Sequence, residues 1–300
     1  VQKLAPYVGG VPTATALVGL NAVNGGCFVA GERAGTYFVE YPEDIKLWGL
    51  SVNTAGPAGI ALQGEYSYRS NQPLQLPSAE LLLAALGLAN QLTSTNPVAA
   101  ATVPYGTEIS GYRRVKMHQV QATATKAFGP TFNANQLVTV GEIGYTHLDL
   151  PGDLKFAGPG CHLPQPGSSV QTAYNSISTN CFATKNSWGY RLVGRLDYDG
   201  VVDGGTLSPR VAFAHDVDGV GPTFNEGVKA LTFGLGFVYL QKWQADIGYT
   251  MFFGGNTFSG TDTPTTSTGA LPPGQTASYA SGSNYLKDRD FLAINVSYSF

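Results

Sequence analysis

The feature that most limits how this chain folds is alternation. In "IALQGEYSYR" (60–69), Ile60, Leu62, Tyr66 and Tyr68 fall on one side, and Ala61, Gln63, Glu65, Ser67 and Arg69 on the other. "WQADIGYTMFF" (243–253) sets Trp243, Ala245, Ile247, Tyr249, Met251 and Phe253 against Gln244, Asp246, Gly248 and Thr250. "SWGYRLVGRLDYDG" (187–200) and "FLAINVSYSF" (291–300) repeat the pattern. A period of two sustained over ten or so residues specifies a strand with two unlike faces. Such segments recur at about 45–53, 60–69, 112–127, 136–148, 187–200, 205–216, 227–240, 243–254 and 288–300. Helical periodicity is almost absent, so the chain is predicted to be all-β.

The connections alternate too. "AGPAG", "GPTFNAN", "VVDGG" and "QK" are short, whereas 70–111, 149–186, 217–226 and 255–287 are long. In a sheet of consecutive antiparallel strands this puts short turns at one end and long loops at the other, the pattern of outer-membrane barrels. Many segments are 12–14 residues long, against about 5–6 for strands of globular proteins. Charged residues make up only 12 % of the chain, about half the usual share. The polar faces are therefore mostly Gly, Ala, Ser, Thr and Gln with isolated charges, which suits an enclosed interior better than open water.

Aromatic residues gather at both strand ends. Tyr66, Tyr68, Tyr145, Trp188, Tyr190 and Phe253 lie toward the long loops; Phe128, Tyr198, Tyr239, Trp243, Tyr298 and Phe300 lie toward the short turns. Two such belts mark the two interfaces of a bilayer. The expected architecture is an antiparallel transmembrane β-barrel of outer-membrane type, a single domain over 1–300. Residues 1–44 are an extracellular or connecting segment. The expected partner of the apolar face is outer-membrane lipid. Nine strands is an odd number, whereas single-chain bacterial barrels normally have an even one. Counting back from a periplasmic Phe300 leaves 1–44 outside, so either further strands lie upstream of Val1 or one strand goes unrecognised in 1–40; the first reading, a larger, even-stranded barrel, is the one expected.

The composition excludes other classes. The net charge is −3 and the cations are scattered, so no nucleic-acid footprint exists. The longest apolar run, "LLLAALGLA" at 81–89, is half of what a spanning helix needs. His118, His147, His162 and His215 show no metal-ligand spacing, and "DYDGVVDGG" (197–205) lacks the later glutamate of a calcium loop. No serine can be assigned to a histidine. No catalytic residue, metal or cofactor is predicted, and the chain is expected not to be an enzyme.

Several long stretches carry a family resemblance: "YFVEYPEDIKLWGLSVNT" (37–54), "LQGEYSYRSNQPLQLPSAELLLAAL" (62–86), "VGEIGYTHL" (140–148), "SWGYRLVGRLDY" (187–198), "LSPRVAFAHDVDGVGP" (207–222) and "RDFLAINVSYSF" (289–300). Together they resemble the Gram-negative domain-of-unknown-function family 1302. Its members are predicted outer-membrane barrels of roughly twice this length, and the chain is similar to their C-terminal half. The resemblance implies a role with hydrophobic compounds such as fatty acids, sterols or terpenoids at the outer membrane. It supplies no catalytic residues.

Four groups of residues are candidates for function. Glu65, Glu142, Arg191, Arg195, Arg210 and Asp246 point to the polar side by register. They form either a structural charge ladder or a site that orients the polar end of an amphipathic substrate through bidentate arginine contacts. Counted from the 201–204 turn, Arg195 and Arg210 stand level, and Glu142 is placed near Arg195. "LPSAELLLAALGLANQL" predicts an apolar helix capped by Ser78. Its Leu81, Leu82, Leu83, Leu86 and Leu88 either pack the loop or receive a hydrophobic small molecule, as apolar loops do by analogy in long-chain fatty acid transporters. Cys161 and Cys181 share one loop and are expected to form a disulfide closing about 21 residues, a contribution of about 3 kcal/mol in the loop-entropy model. This leaves Cys27 free or paired elsewhere. Tyr298 and the terminal Phe300 resemble the signal read by the barrel assembly machinery. The leading functional expectation is a passive passage for hydrophobic small molecules gated by apolar loops. The alternative is a structural or surface-interaction barrel with a plugged lumen.

Overall fold

The computed structural model describes residues 2–5, 36–85, 90–92, 108–159, 161, 181–260 and 279–300. One antiparallel sheet of nine strands dominates it, each strand paired with its neighbour in sequence. The strands are β1 (Leu47–Ala55), β2 (Ile60–Gln75), β3 (Tyr112–Phe128), β4 (Gln136–Leu148), β5 (Asn186–Asp199), β6 (Gly205–Asp218), β7 (Val228–Tyr239), β8 (Trp243–Gly254) and β9 (Phe291–Tyr298). All nine alternating segments are strands, with ends within a few residues of those read from the sequence. The exception is β2, which runs on to Gln75 past a register shift between Arg69 and Gln72. Past the shift, Gln72–Gln75 stay paired with Tyr112–Val115 of β3 and extend beyond the end of β1 toward the long loops.

The sheet is not closed. Strands β1 and β9 are its edges, and each is exposed along its whole length. Among the described residues, residues 1–44 contribute two short strands, Gln2–Ala5 and Thr36–Val39. They pair with each other, and Ile109–Ser110 pairs with the former in a separate three-stranded sheet. Because Ile109–Ser110 leads directly into β3, this small sheet lies at the long-loop end.

The two faces behave differently from those of a water-soluble sandwich. On the apolar face Trp48 is 71 % exposed, Leu50 74 % and Ile294 68 %, and Ile143, Leu192, Val211, Phe233 and Ile247 are exposed as well. The cross-strand register makes this face continuous: Ile143 stands opposite Tyr190, Leu192 opposite Phe213, Val211 opposite Phe233, and Ile247 opposite both Leu235 and Ile294. No second sheet packs on it among the described residues. Apolar patches on ordinary soluble monomers rarely exceed a few hundred Å².

The packed core sits elsewhere, at the long-loop end. Leu74, Leu76, Val115, Met117, Leu148 and Phe156 form one buried cluster, bordered by Leu92, Leu150, Leu154 and Ala183. Val115, Met117 and Leu148 share the polar side of the sheet with Gln119 and Thr146. That side therefore changes from polar to apolar where the loops fold against it. Burial of six large side chains, each contributing about 1.5–3 kcal/mol, fastens the loop layer to the sheet. The predicted helix is present as α1 (Ser78–Ala85) and starts at Ser78. Its Leu81 and Ala84 are buried with Ile109.

Candidate functional site

The candidate site is the polar face. Alternation puts Glu65, Gln119, Gln121, Glu142, Arg191, Arg195, Arg210 and Asp246 on it, and the ladder decides which of them meet. Glu142 stands directly opposite Arg191, with Arg191 Nη1 3.6 Å from Glu142 Oε1. Gln121 Nε2 donates to Glu142 Oε2 at 2.7 Å, and the Thr123 hydroxyl donates to the same oxygen at 3.4 Å. This corrects the sequence reading, which set Glu142 level with Arg195; the residue opposite Arg195 on β4 is Val138. The misplacement has a physical origin. Strands β4 and β5 are joined by a long loop whose slack leaves register free, so only the hydrogen-bonded ladder can set it.

Arg195 and Arg210 are paired across β5 and β6 as expected, because the tight 200–204 turn fixes that register. Two arginines side by side repel, and each turns to a separate carboxylate. Arg195 Nη2 donates to Asp197 Oδ2 at 3.0 Å, and Asp197 also accepts the Ser208 hydroxyl at 2.7 Å. Arg210 crosses β7 to form a two-pronged pair with Asp246, with Nη2 2.8 Å from Oδ1. Gly234 of β7 stands directly opposite Arg210 in the ladder. A Cβ there would come within 2.6 Å of the Arg210 Cζ, so glycine leaves the channel that the guanidinium occupies. Of the six predicted residues, the fold pairs four: Glu142 with Arg191 and Arg210 with Asp246. It pairs Arg195 with a residue the sequence reading missed. Glu65 is exposed and makes no ion pair among the described residues.

Glu65 instead lines a cleft of about 520 Å³ on the polar face, with Ser51, Arg69, Gln121, Thr146 and Phe224. Arg69 and Ser67 both donate to Gln119 Oε1, and Gln119 Nε2 donates to the Thr223 hydroxyl at 2.9 Å. The cleft thus has a carboxylate, a guanidinium and several amides on its walls and an aromatic ring at its rim. This set can hydrogen-bond the polar end of a small amphipathic molecule.

The ring comes from the 219–227 connection, which folds inward. Asn225 N–H donates to Asp216 Oδ2 at 2.8 Å and Gly227 N–H to the Asp216 carbonyl at 2.8 Å. Thr184 and Val220 exchange hydrogen bonds on the other side. So anchored, Phe224 is buried over Gly144 and Gly189. Cβ atoms at those positions would meet its ring at 2.6 Å and 2.9 Å. Phe224, Thr223, Gln119 and Asp197 were not among the residues predicted for the site. Phe224 lies in a loop without alternation, and only its inward fold gives it meaning. Asp197, two residues after Arg195 on the same face, was within reach of the alternation argument.

Leu81 is fully buried in the loop layer. The side chains of Leu82 and Leu83, and residues Leu86, Leu88 and Cys27, lie outside what the structure describes. Cys161 and Cys181 come to disulfide distance, with Cα atoms 5.0 Å apart. Tyr298 packs against Trp243 with the rings tilted and 4.6 Å between centroids, at the short-turn end. Among the described residues no His, Cys, Asp and Glu grouping could hold a metal ion.

No curated protein and no solved structure matches the chain. The family model described as protein of unknown function (DUF1302) matches residues 5–300, nearly the whole sequence, and the chain belongs to that family.

Proposed function

We propose that this chain is part of an outer-membrane β-barrel that admits hydrophobic small molecules of fatty-acid, sterol or terpenoid type, without energy coupling in the chain itself. One observation carries the membrane part of the reading: the apolar face of the nine-stranded sheet carries exposed side chains from edge to edge, while the Arg–carboxylate pairs lie on the opposite face. Acyl chains are the solvent that matches such a face. Strands β2 to β8 have 12 to 17 residues, and about 9–11 tilted residues cross a bilayer. Closure needs more strands than these nine. Strands β1 and β9 run in the same direction, so pairing them would create one parallel ladder in an antiparallel sheet. An odd number of further strands restores antiparallel closure.

The passage part rests on the cleft. Its carboxylate, guanidinium and amides suit a carboxyl or hydroxyl end group, and Phe224 offers an apolar rim. The long-loop leucines supply the greasy entrance in this reading. The test is uptake of a fluorescent long-chain fatty acid by vesicles holding the full-length protein. Leu82→Asp with Leu86→Asp abolishes uptake and leaves assembly intact; unchanged uptake removes the loop from the pathway.

The alternative, a structural or surface-interaction barrel with a filled lumen, is favoured by a different observation. The buried cluster around Leu76, Leu148 and Phe156 lies on the polar side at the long-loop end, where an entrance would be. Conductance of small ions through the reconstituted protein separates the two: a filled barrel conducts none.

A further inference from the structure

Cations on the apolar face are not spread evenly. On β3, Arg114 and Lys116 are exposed and continue the outward register of His118 and Val120, whereas Val115 and Met117 between them are buried. His118 closes the apolar band. Its ring lies 4.8 Å from that of Tyr68 and its Nδ1 is 2.8 Å from the Tyr66 hydroxyl. Lys116 and Arg114 then stand one and two strand steps beyond this aromatic belt, about 7 Å per step. Beside them, where β3 runs on past the last residue of β4, a cleft of about 520 Å³ is lined by Arg113, Arg114, His147, Asp149, Leu150 and Lys185.

The charge in this cleft is unbalanced. Among the described residues its one carboxylate, Asp149, is 3.2 Å from His147 Nε2. Arg113 donates to the carbonyls of Ser110 and Tyr112, and Arg114 Nη2 to the carbonyl of Glu43 at 2.8 Å. These bonds orient the guanidinium groups without neutralising them. Lys185 in the cleft and Lys116, outside its lining, have no side-chain partner among the described residues. On the same face at the short-turn end, Lys126 is engaged by the Ala58 carbonyl, and among the described residues no comparable group of cations forms there.

We infer that this cleft binds the phosphate-bearing headgroup of a lipid whose acyl chains lie on the apolar face directly below it. The inference rests on the membrane reading of that face. The chemistry matches in both parts. Arginine and lysine bind phosphate oxygens through charge-assisted hydrogen bonds. The exposed Tyr145, Val120 and Tyr66 supply the apolar wall under the cleft. The long-loop leaflet is therefore the one whose anionic headgroups the protein reads.

The test uses the purified protein in mixed micelles of phosphatidic acid and phosphatidylcholine with identical acyl chains. Lipid retention is counted by native mass spectrometry. Phosphatidic acid is expected to be retained in preference. Arg114→Ala with Lys185→Ala should cut that preference about 30-fold, from two surface cations, with unchanged thermal unfolding. Equal retention of the two lipids, or an unaltered preference in the double variant, overturns the site. Displacement of phosphatidic acid by inorganic phosphate at equal concentration also overturns it, since the acyl chains would then contribute nothing. Flotation with liposomes is read in parallel. A protein that floats but shows no preference refutes the headgroup site alone, and one that fails to float refutes the membrane reading beneath it.

Discussion

Arg210 and Asp246 are joined across an intervening strand. The guanidinium on β6 passes over Gly234 of β7 and grips the carboxylate on β8 with two hydrogen bonds. A neighbouring arginine, Arg195, stands beside Arg210 in the ladder, and the reach to Asp246 takes the second charge away from the first. The pair therefore depends on a residue with no side chain at all.

Gly234→Val fills the space under the guanidinium. Because the displaced group is the tip of a flexible side chain, the backbone remains and the ion pair is lost. Both partners are partly exposed, so the expected loss of stability is only about 1 kcal/mol, and Arg210→Ala should cost about the same. Urea unfolding of both variants in lipid vesicles measures this. A loss well above 3 kcal/mol for Gly234→Val would mean that the glycine serves the backbone.

The inside-out assignment is tested at Ile247, which is exposed in the middle of the apolar face. If that face meets lipid, Ile247→Arg costs about 2–4 kcal/mol near the bilayer midplane. If it meets water, the change stays within about 0.5 kcal/mol. The two outcomes do not overlap in equilibrium unfolding measurements.

Phe224 is buried with its ring over two glycines. Phe224→Ala should cost about 3 kcal/mol, as large-to-small core changes do, and widen the polar cleft, speeding small-solute permeation. Gly189→Val should be worse for folding than Gly144→Val. A Cβ at 189 meets the backbone oxygen of His215 at 2.7 Å as well as the ring, whereas at 144 only the ring is in the way. Liposome swelling and refolding yield report the two effects.

The terminus gives a kinetic prediction. Tyr298 packs on Trp243 and Phe300 is fully exposed, so deleting Phe300 removes almost no packing. If it serves as an assembly signal, its deletion lowers the yield of membrane-inserted protein in cells without changing the stability of what inserts. Normal yield in a fractionation experiment would end that role.

Alkylation without reduction, followed by intact-mass measurement, should find Cys161 and Cys181 unmodified. Label on both would exclude a bond between them.

Strand number, strand order and the division into two faces were all legible in the sequence, because a period of two is a local property that long strands repeat many times. The level pairing of Arg195 with Arg210 was legible for the same reason, being set by a five-residue turn. What the sequence left open was everything that crosses a long loop. The Glu142–Arg191 pairing, the reach of Arg210 over Gly234 and the inward fold of Phe224 each depend on register or chain path that no short turn dictates. Only the assembled ladder, by pairing the backbone N–H and C=O groups between adjacent strands together, selects one register. That selection decided which charges became neighbours.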